Sequence, residues 1–115
     1  MTTTVVSEKA NADYRPARRN ETLGARVLER SDNVLWTVAP PGILLHNLEL
    51  RLYFELDALG YVAWGFLDGG RTVDEVVSRC LERFPRTVHE QTAADLIEII
   101  KTLQQHGFVK DREDA

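Results

Sequence analysis

Cysteine is almost absent from the chain, because Cys80 is the only one among 115 residues. A single thiol cannot form an internal disulfide, and it is too few for a cysteine-rich zinc site. The three histidines, His46, His89 and His106, show no metal-ligand spacing and no accompanying arrangement of carboxylates, so we expect no metal site. Because Cys80 falls within an apolar helical stripe, we expect a buried thiol rather than a nucleophile.

The sequence also lacks long hydrophobic runs and an excess of positive charge. No run approaches the ~20 apolar residues of a membrane span, and no apolar segment follows a basic start. We therefore expect no membrane segment, no signal peptide and a cytoplasmic location. With 14 Lys and Arg against 18 Asp and Glu, the formal net charge is −4. The chain thus lacks the broad positive field with which proteins bind nucleic-acid phosphates.

Catalytic signatures are missing as well. Gly69-Gly70 is not followed by the G-K-[ST] sequence that a nucleotide-binding loop would need. Asp68 and Glu75 are explained by turn and helix-cap roles, which leaves no paired carboxylates for acid–base chemistry. We expect a protein with no cofactor, no catalytic residues and no enzymatic activity.

The composition is that of one small globular domain, with 43% hydrophobic and 28% charged residues. Residues 1–32 are predicted to form a flexible polar tail, residues 33–110 the domain, and residues 111–115 a C-terminal tail. The N-terminal segment has too few large apolar side chains to offset the entropy of ordering it. The sequence also gives a weak indication of a short helix around Leu23–Arg30. Arginines at positions 15, 18 and 19 form a small basic cluster in the predicted tail. The alternative to a flexible tail is that this cluster forms a docking arm for a larger partner.

Three short strands follow the tail. Val34–Val38 is ended by Pro40-Pro41-Gly42, which forces a turn, and Ile43–Asn47 continues as the second strand. The third strand, Leu50–Leu56, alternates apolar and polar residues at a period of two. Its apolar face comprises Leu50, Leu52, Phe54 and Leu56, and its polar face Arg51, Tyr53 and Glu55. Tight connections predict an antiparallel meander in which the third strand is an edge.

Three helices are predicted after the strands. Asp57 is placed to cap a helix over Ala58–Leu67. Thr72 and Glu75 fit a capping box for the second helix, which ends before Pro85.

The third helix carries apolar residues from Ala93 to Leu103. Thr87–Glu90 could form another capping box at its start, with Thr92 as a competing start. Gly107 is placed as a left-handed residue after its end, with Phe108 and Val109 folding back as an apolar contact. Strands followed by helices predict an α+β winged helix-turn-helix fold with an N-terminal three-stranded antiparallel sheet.

Five segments occur in a fixed order along the chain. They are Gly42-Ile43-Leu44-Leu45-His46-Asn47, Tyr53-Phe54-Glu55-Leu56-Asp57, Trp64-Gly65-Phe66-Leu67-Asp68-Gly69-Gly70-Arg71-Thr72-Val73-Asp74-Glu75-Val76-Val77, Ala94-Asp95-Leu96-Ile97 and Leu103-Gln104-Gln105-His106-Gly107-Phe108-Val109. Together they resemble the PqqD family, the peptide-binding module called the RiPP recognition element. The similarity covers roughly Val34–Val109, and Leu56-Asp57 stands where that family commonly has Leu-Asn.

The resemblance implies a non-catalytic adaptor, or peptide modification chaperone. Such proteins bind the leader of a ribosomally made precursor peptide and present its core to a modifying enzyme, such as a radical SAM enzyme or a lasso-type protease or cyclase. The leader would add as a strand beside the third strand and lie against the third helix. The implied peptide-binding residues are Arg51, Leu52, Tyr53, Phe54 and Glu55 on the strand and Ile97, Lys101, Gln104 and Gln105 on the helix.

The expected contributions of these residues differ. For Leu52 and Phe54 the backbone is expected to bind, because their side chains fit the core. Ile97 is either an anchor for the leader or part of a wider buried face.

Two other functions remain open at this stage. A winged-helix DNA-binding regulator would need a basic recognition helix, but the segment from Val88 to His106 carries Glu90, Asp95 and Glu98 against Lys101 alone. A general protein–protein scaffold would show the same open edge. The acidic helix favours a leader with Lys or Arg, and an exposed edge also suits a homodimer.

Overall fold

The computed structural model describes residues 22–112. A short 3-10 helix, Leu23–Ala25, precedes the first strand. The elements that follow are β1 (Val27–Arg30), β2 (Val34–Ala39), β3 (Gly42–Asn47), β4 (Leu52–Leu56), α1 (Ala58–Phe66), β5 (Asp68–Thr72), α2 (Val73–Arg83), α3 (His89–Gln105) and β6 (Val109–Asp111). Across this part of the chain, no helix has the length and apolar character to cross a membrane.

The α+β class and the three helices are confirmed, but the predicted order of three strands followed by three helices is incomplete. Three further strands, β1, β5 and β6, form a second antiparallel sheet in the order β5-β1-β6. The predicted strands form the other sheet, β2-β3-β4.

The β2-β3-β4 sheet is the predicted antiparallel meander with β3 in its centre. The turn between β2 and β3 contains a cis Pro40–Pro41 peptide bond. β4 begins at Leu52 rather than at Leu50, because residues 48–51 form a turn. Arg51 has a φ of 57° in that turn, a left-handed conformation that ends the alternation of the strand.

The second sheet corrects the prediction for the N-terminal segment. β1 replaces the expected helix over Leu23–Arg30, and it lies inside the segment 1–32 that was predicted as a tail. It pairs with β5 and with β6, so segments far apart in the sequence hold it in place. The basic cluster of the predicted tail lies outside the described residues.

The caps of the first two helices are as predicted. Asp57 Oδ1 accepts a hydrogen bond from the Gly60 amide at 2.9 Å at the start of α1. At the start of α2, the Thr72 amide donates to Glu75 Oε1 at 2.7 Å, and the Glu75 amide donates to Thr72 Oγ1 at 3.2 Å. This reciprocal pair is a capping box.

The predicted start of the third helix is wrong. Val88 is the N-cap of α3, and its side chain makes no capping hydrogen bond. Thr87 Oγ1 instead donates to the Phe84 carbonyl at 2.8 Å, which closes the preceding turn. Thr92 is buried inside α3 rather than at its start. At the other end, Gly107 has the predicted left-handed conformation, with a φ of 76°.

One core lies between the sheets and the helices. It includes Leu45, Trp64, Leu96 and Phe108, which come from β3, α1, α3 and the segment before β6. Cys80 is buried in this core, as expected, and desolvation raises the pKa of its thiol to about 11.

A substitution in β1 tests whether this strand belongs to the folded core. Leu28 is 0% exposed, so Leu28→Ala should lower the free energy of unfolding by roughly 2–5 kcal/mol, through lost burial and the cavity left behind. Leu48→Ala is the matched control, because Leu48 is 46% exposed and should change that free energy by less than about 0.5 kcal/mol. Urea unfolding of the full chain measures both, and equal effects would place β1 outside the core.

Candidate functional site

Within residues 22–112, β4 is an open edge of its sheet. Its only partner strand in this part of the chain is β3, in the register Ile43 with Leu56, Leu45 with Phe54 and Asn47 with Leu52. An open edge presents N–H and C=O groups that another extended chain can pair with.

The hydrogen-bond pattern shows which residues of β4 have unpaired backbone groups. The Leu48 amide donates to the Asn33 carbonyl at 2.9 Å and so continues the β2–β3 ladder by one pair. Bonded and non-bonded pairs alternate in an antiparallel ladder, so Ile43, Leu45 and Asn47 direct their backbone groups towards β4.

The same alternation applies to β4. The partners of those three residues are Leu56, Phe54 and Leu52, whose N–H and C=O groups are therefore occupied by β3. Tyr53 and Glu55, which lie between them, direct their N–H and C=O groups away from β3, in the plane of the sheet. These two residues, and not Leu52 and Phe54 as the sequence suggested, supply the free backbone groups of the edge.

The side chains of β4 divide between the two faces of the sheet. Leu52, Phe54 and Leu56 lie on the inner face, where Leu56 is buried and Phe54 is partly buried against the core. Leu52 is exposed, so the inner face of the sheet is open to solvent at this end of β4. On the outer face Tyr53 is exposed, and its ring stacks on that of His46 with centroids 4.1 Å apart.

The predicted residues of α3 share one side of that helix. Ile97, Lys101, Gln104 and Gln105 are spaced at i, i+4, i+7 and i+8, so they form one stripe beside the buried one. Ile97 is partly buried and packs against the core, whereas Lys101 is exposed. Lys101 Nζ lies 4.0 Å from Glu98 Oε2, an exposed ion pair that contributes little to stability.

Asn47, the last residue of β3, connects the turn before β4 to the end of α3. Asn47 is only 1% exposed, and its Nδ2 donates to the His106 carbonyl at 2.9 Å. Its Oδ1 accepts from the amides of Glu49 and Leu50, at 3.0 and 3.1 Å, and from Asn33 Nδ2 at 3.1 Å. One side chain thus holds both the turn that leads into β4 and the C-terminus of α3.

An aromatic contact adds to this connection. The ring of Phe54 stacks on that of Phe108, with centroids 5.8 Å apart and an interplanar angle of 30°. Phe108 directly follows the left-handed Gly107, so the turn after α3 brings its ring under β4.

The structure therefore brings together only part of the predicted set. Leu52, Tyr53, Phe54 and Glu55 form β4, but Arg51 lies in the preceding turn and adds no strand residue to the edge. Asn47 was missed, although a polar residue that ends an apolar strand before a turn is a recognisable signal. Within residues 22–112, no cluster of three or more His, Cys, Asp or Glu could hold a metal ion.

Comparison with known proteins identifies the family. The model of the family described as coenzyme PQQ synthesis protein D (PqqD) matches residues 42–109, which is more than half of the chain. The chain belongs to the PqqD family. The match includes β3, β4 and the three helices, while β1 and β2 lie before it.

A solved structure has a similar fold to this PqqD-family chain. It is described as TbiB1 in complex with the TbiA(beta) leader peptide, and it superimposes with a TM-score of 0.61. The two proteins are 23% identical over 71% of this chain and 94% of the other. None of the curated proteins matches the chain.

The connection through Asn47 can be tested by one isosteric substitution. Asn47→Asp keeps an acceptor for the turn amides but removes the donor to the His106 carbonyl and places two oxygens against each other. We expect the free energy of unfolding to fall by about 1–3 kcal/mol, as for a buried group left without its partner. Asn33→Ala is the control in the same network, because it removes a part-exposed donor to Asn47 Oδ1 and Glu49 Oε1 without placing a carboxylate beside them, and it should cost less in urea unfolding. Equal costs would contradict a central role for Asn47.

Proposed function

We propose that this PqqD-family chain is a non-catalytic adaptor that captures the leader of a ribosomally made precursor peptide by strand addition to β4. The observation that carries the proposal is the open edge at Tyr53 and Glu55, whose backbone groups point away from the sheet. A leader strand would pair with these two residues through main-chain hydrogen bonds, which tolerate changes in the leader sequence.

Side chains beside the edge would supply selectivity. Alternate residues of an added strand point to opposite faces of a sheet, so every second leader side chain would lie on the inner face. There it would meet the exposed Leu52, the partly buried Phe54 and the proposed stripe of Ile97 on α3. This apolar environment suits an aliphatic or aromatic leader residue. The remaining leader side chains would lie beside Tyr53 and Glu55.

The charges of the site suggest a further preference. Glu55 on β4 and Glu98 on α3 are exposed, as are Glu90 and Asp95 nearer the start of α3. The counter-charges are Arg51 in the turn before β4 and Lys101, while Gln104 and Gln105 are neutral. An overall acidic surface favours a leader that carries Lys or Arg.

Delivery to a modifying enzyme completes the proposed role. The leader would stay on the adaptor while its core reaches the enzyme, which would be a radical SAM enzyme or a lasso-type protease or cyclase. Because a ribosomally made precursor arises in the cytoplasm, this role places the protein there. A homodimer formed through β4 would compete with the leader, so self-association compatible with this role must use another surface.

Membership of the PqqD family supports this proposal, and so does the fold shared with a protein solved with a leader peptide. The acidic exposed surface of α3 gives no support to DNA binding.

Proline substitution tests strand addition at β4. Tyr53→Pro removes an amide that points away from the sheet, so the variant should fold and yet bind the leader at least about tenfold more weakly. Phe54→Pro removes an amide that is bonded to β3 and should instead destabilise the fold. The measurement is calorimetric titration with a synthetic peptide that spans the leader of a candidate precursor. Unchanged affinity in folded Tyr53→Pro would rule out pairing at this edge.

A pair of isoleucines tests the proposed stripe on α3. Ile97 and Ile99 are both partly buried against the core, but two residues along a helix place them on different sides. Ile97→Asp and Ile99→Asp should therefore destabilise the fold to a similar degree. Only Ile97→Asp should weaken leader binding, by roughly tenfold or more, because it removes an apolar anchor. The same titration checks both, and the reverse result would move the leader to the other side of α3.

A further inference from the structure

The β2-β3-β4 sheet has a second edge, β2, which the proposed leader interaction does not use. Among residues 22–112, β2 pairs with β3 alone. The ladder alternation leaves the N–H and C=O groups of Val34, Trp36 and Val38 directed away from β3. β2 therefore offers a second set of unpaired backbone groups to another strand.

β2 carries none of the features that usually protect an edge strand. Val34–Ala39 contains no charged residue and no proline, and its register with β3 is unbroken. Leu35 is 58% exposed on the outer face, and Trp36 and Val38 are 49% and 52% exposed on the inner face. The other edge, β4, differs in carrying the charged Glu55. An apolar, regular and uncharged edge is suited to pairing with another chain.

Trp36 is held in place although it is half exposed. Its ring meets that of Trp64 edge to face, with centroids 5.6 Å apart and an interplanar angle of 75°. The Arg30 guanidinium lies 5.6 Å from the centre of the Trp36 ring, and its Nη1 donates to the Trp64 carbonyl at 2.9 Å. A side chain ordered in advance loses little entropy when a partner covers it, and tryptophan is among the commonest interface hot spots.

The sequence of β2 is close to symmetric about Trp36. It reads Val34-Leu35-Trp36-Thr37-Val38, so a two-fold antiparallel pairing would place Trp36 opposite Trp36 of the partner subunit. Val34 would then lie opposite Val38 of the partner subunit, and Leu35 opposite Thr37 of the partner subunit. None of these pairs contains a charged residue. The residues with free backbone groups also face each other, so the ladder can form in this register.

We propose that β2 is a homodimer interface, in which two copies of this chain pair antiparallel about Trp36. In this dimer the β2-β3-β4 sheet of one copy joins the β2-β3-β4 sheet of the other, and β4 lies at both ends of the joined sheet. Each copy keeps its leader edge open, so the interface goes beyond the proposed function and does not depend on it. A single strand pair buries less area than a standard interface, so we expect a dissociation constant on the order of micromolar.

Sedimentation equilibrium of the full chain tests the dimer. The mass should rise from 13.1 kDa towards twice that value between about 1 and about 500 µM protein. Trp36→Lys removes the ring and sets two ammonium groups directly opposite, so the dissociation constant should increase by at least about thirtyfold.

Two further variants guard against a folding artefact. Leu35→Lys leaves the contact between Trp36 and Trp64 intact and should also weaken the dimer. Leu48→Lys is the matched control, because Leu48 is an exposed leucine outside β2 and should leave the dimer unchanged.

Cross-linking tests the register of the two strands. Leu35→Cys and Thr37→Cys are made as separate variants, mixed in equal amounts and oxidised. In the proposed register the introduced thiols face each other only in the mixed dimer, as a non-hydrogen-bonded pair with a Cα separation of about 4.5 Å, which fits a disulfide. Mass spectrometry should therefore find more mixed disulfide than the roughly one-half expected from random pairing. Cys80 is buried and should not react.

Three results would overturn the proposal. A mass of 13.1 kDa over the whole concentration range would exclude the dimer. Unchanged association of Trp36→Lys and Leu35→Lys would place the interface elsewhere. If the chain is monomeric and the Trp36→Lys variant no longer binds a modifying enzyme, the β2 edge is the binding site for that enzyme instead. Leader affinity should stay the same in Trp36→Lys, so failure of the dimer and failure of leader capture are told apart.

Discussion

The carboxamide of Asn47 is the constraint on which the geometry of the edge depends. Asn47 ends β3, and its oxygen accepts from the amides of Glu49 and Leu50, so the chain must reverse within four residues and enter β4 in register. Its nitrogen donates to the carbonyl of His106, beyond the end of α3. A buried amide with all these partners tolerates little displacement, because each broken bond would leave a polar group unpaired away from water.

This constraint relates two segments that are distant in the sequence. Asn47 at the end of β3 donates a hydrogen bond to the C-cap of α3, and Phe54 of β4 stacks on Phe108 just beyond that helix. A peptide added to β4, as proposed, would therefore bind a strand whose position relative to the end of α3 is already fixed. Preorganisation of this kind reduces the entropy lost on binding, which matters for a site that relies on main-chain hydrogen bonds.

The two edges of the sheet differ in a way that the ladder makes explicit. Alternation of bonded pairs gives free backbone groups to Tyr53 and Glu55 on β4 and to Val34, Trp36 and Val38 on β2. β4 combines those groups with a charged side chain, whereas β2 is uncharged and presents an ordered tryptophan. One sheet can thus serve two partners at once, because β3 separates the edges.

Local signals in the sequence predicted much of the fold. Alternation located β4, the turn at Pro40-Pro41-Gly42 separated β2 from β3, and the caps at Asp57 and Thr72 located two helices. Each of these signals acts within a few residues. β1, β5 and β6 could not be predicted in this way, since they are short and each is stabilised by partners far along the chain. The glycines of β5 predicted a turn, but pairing with β1 overrides that preference.

The candidate site shows the same division. The predicted edge strand is present as β4, but its start was misplaced because the left-handed Arg51 is not visible in an alternating pattern. The stripe on α3 stays a prediction. The assignment of free amides to Tyr53 and Glu55 required the ladder itself, which depends on the Leu48–Asn33 hydrogen bond.

Amide hydrogen exchange, followed residue by residue in the absence and presence of the leader peptide, tests strand addition at β4 most directly. In the free protein the amides of Leu52 and Phe54 should be protected by β3, whereas those of Tyr53 and Glu55 should exchange rapidly. Bound leader should slow exchange at Tyr53 and Glu55 by at least about tenfold, because both amides would then donate to it. Leader binding with unchanged exchange at these two amides would contradict capture at this edge.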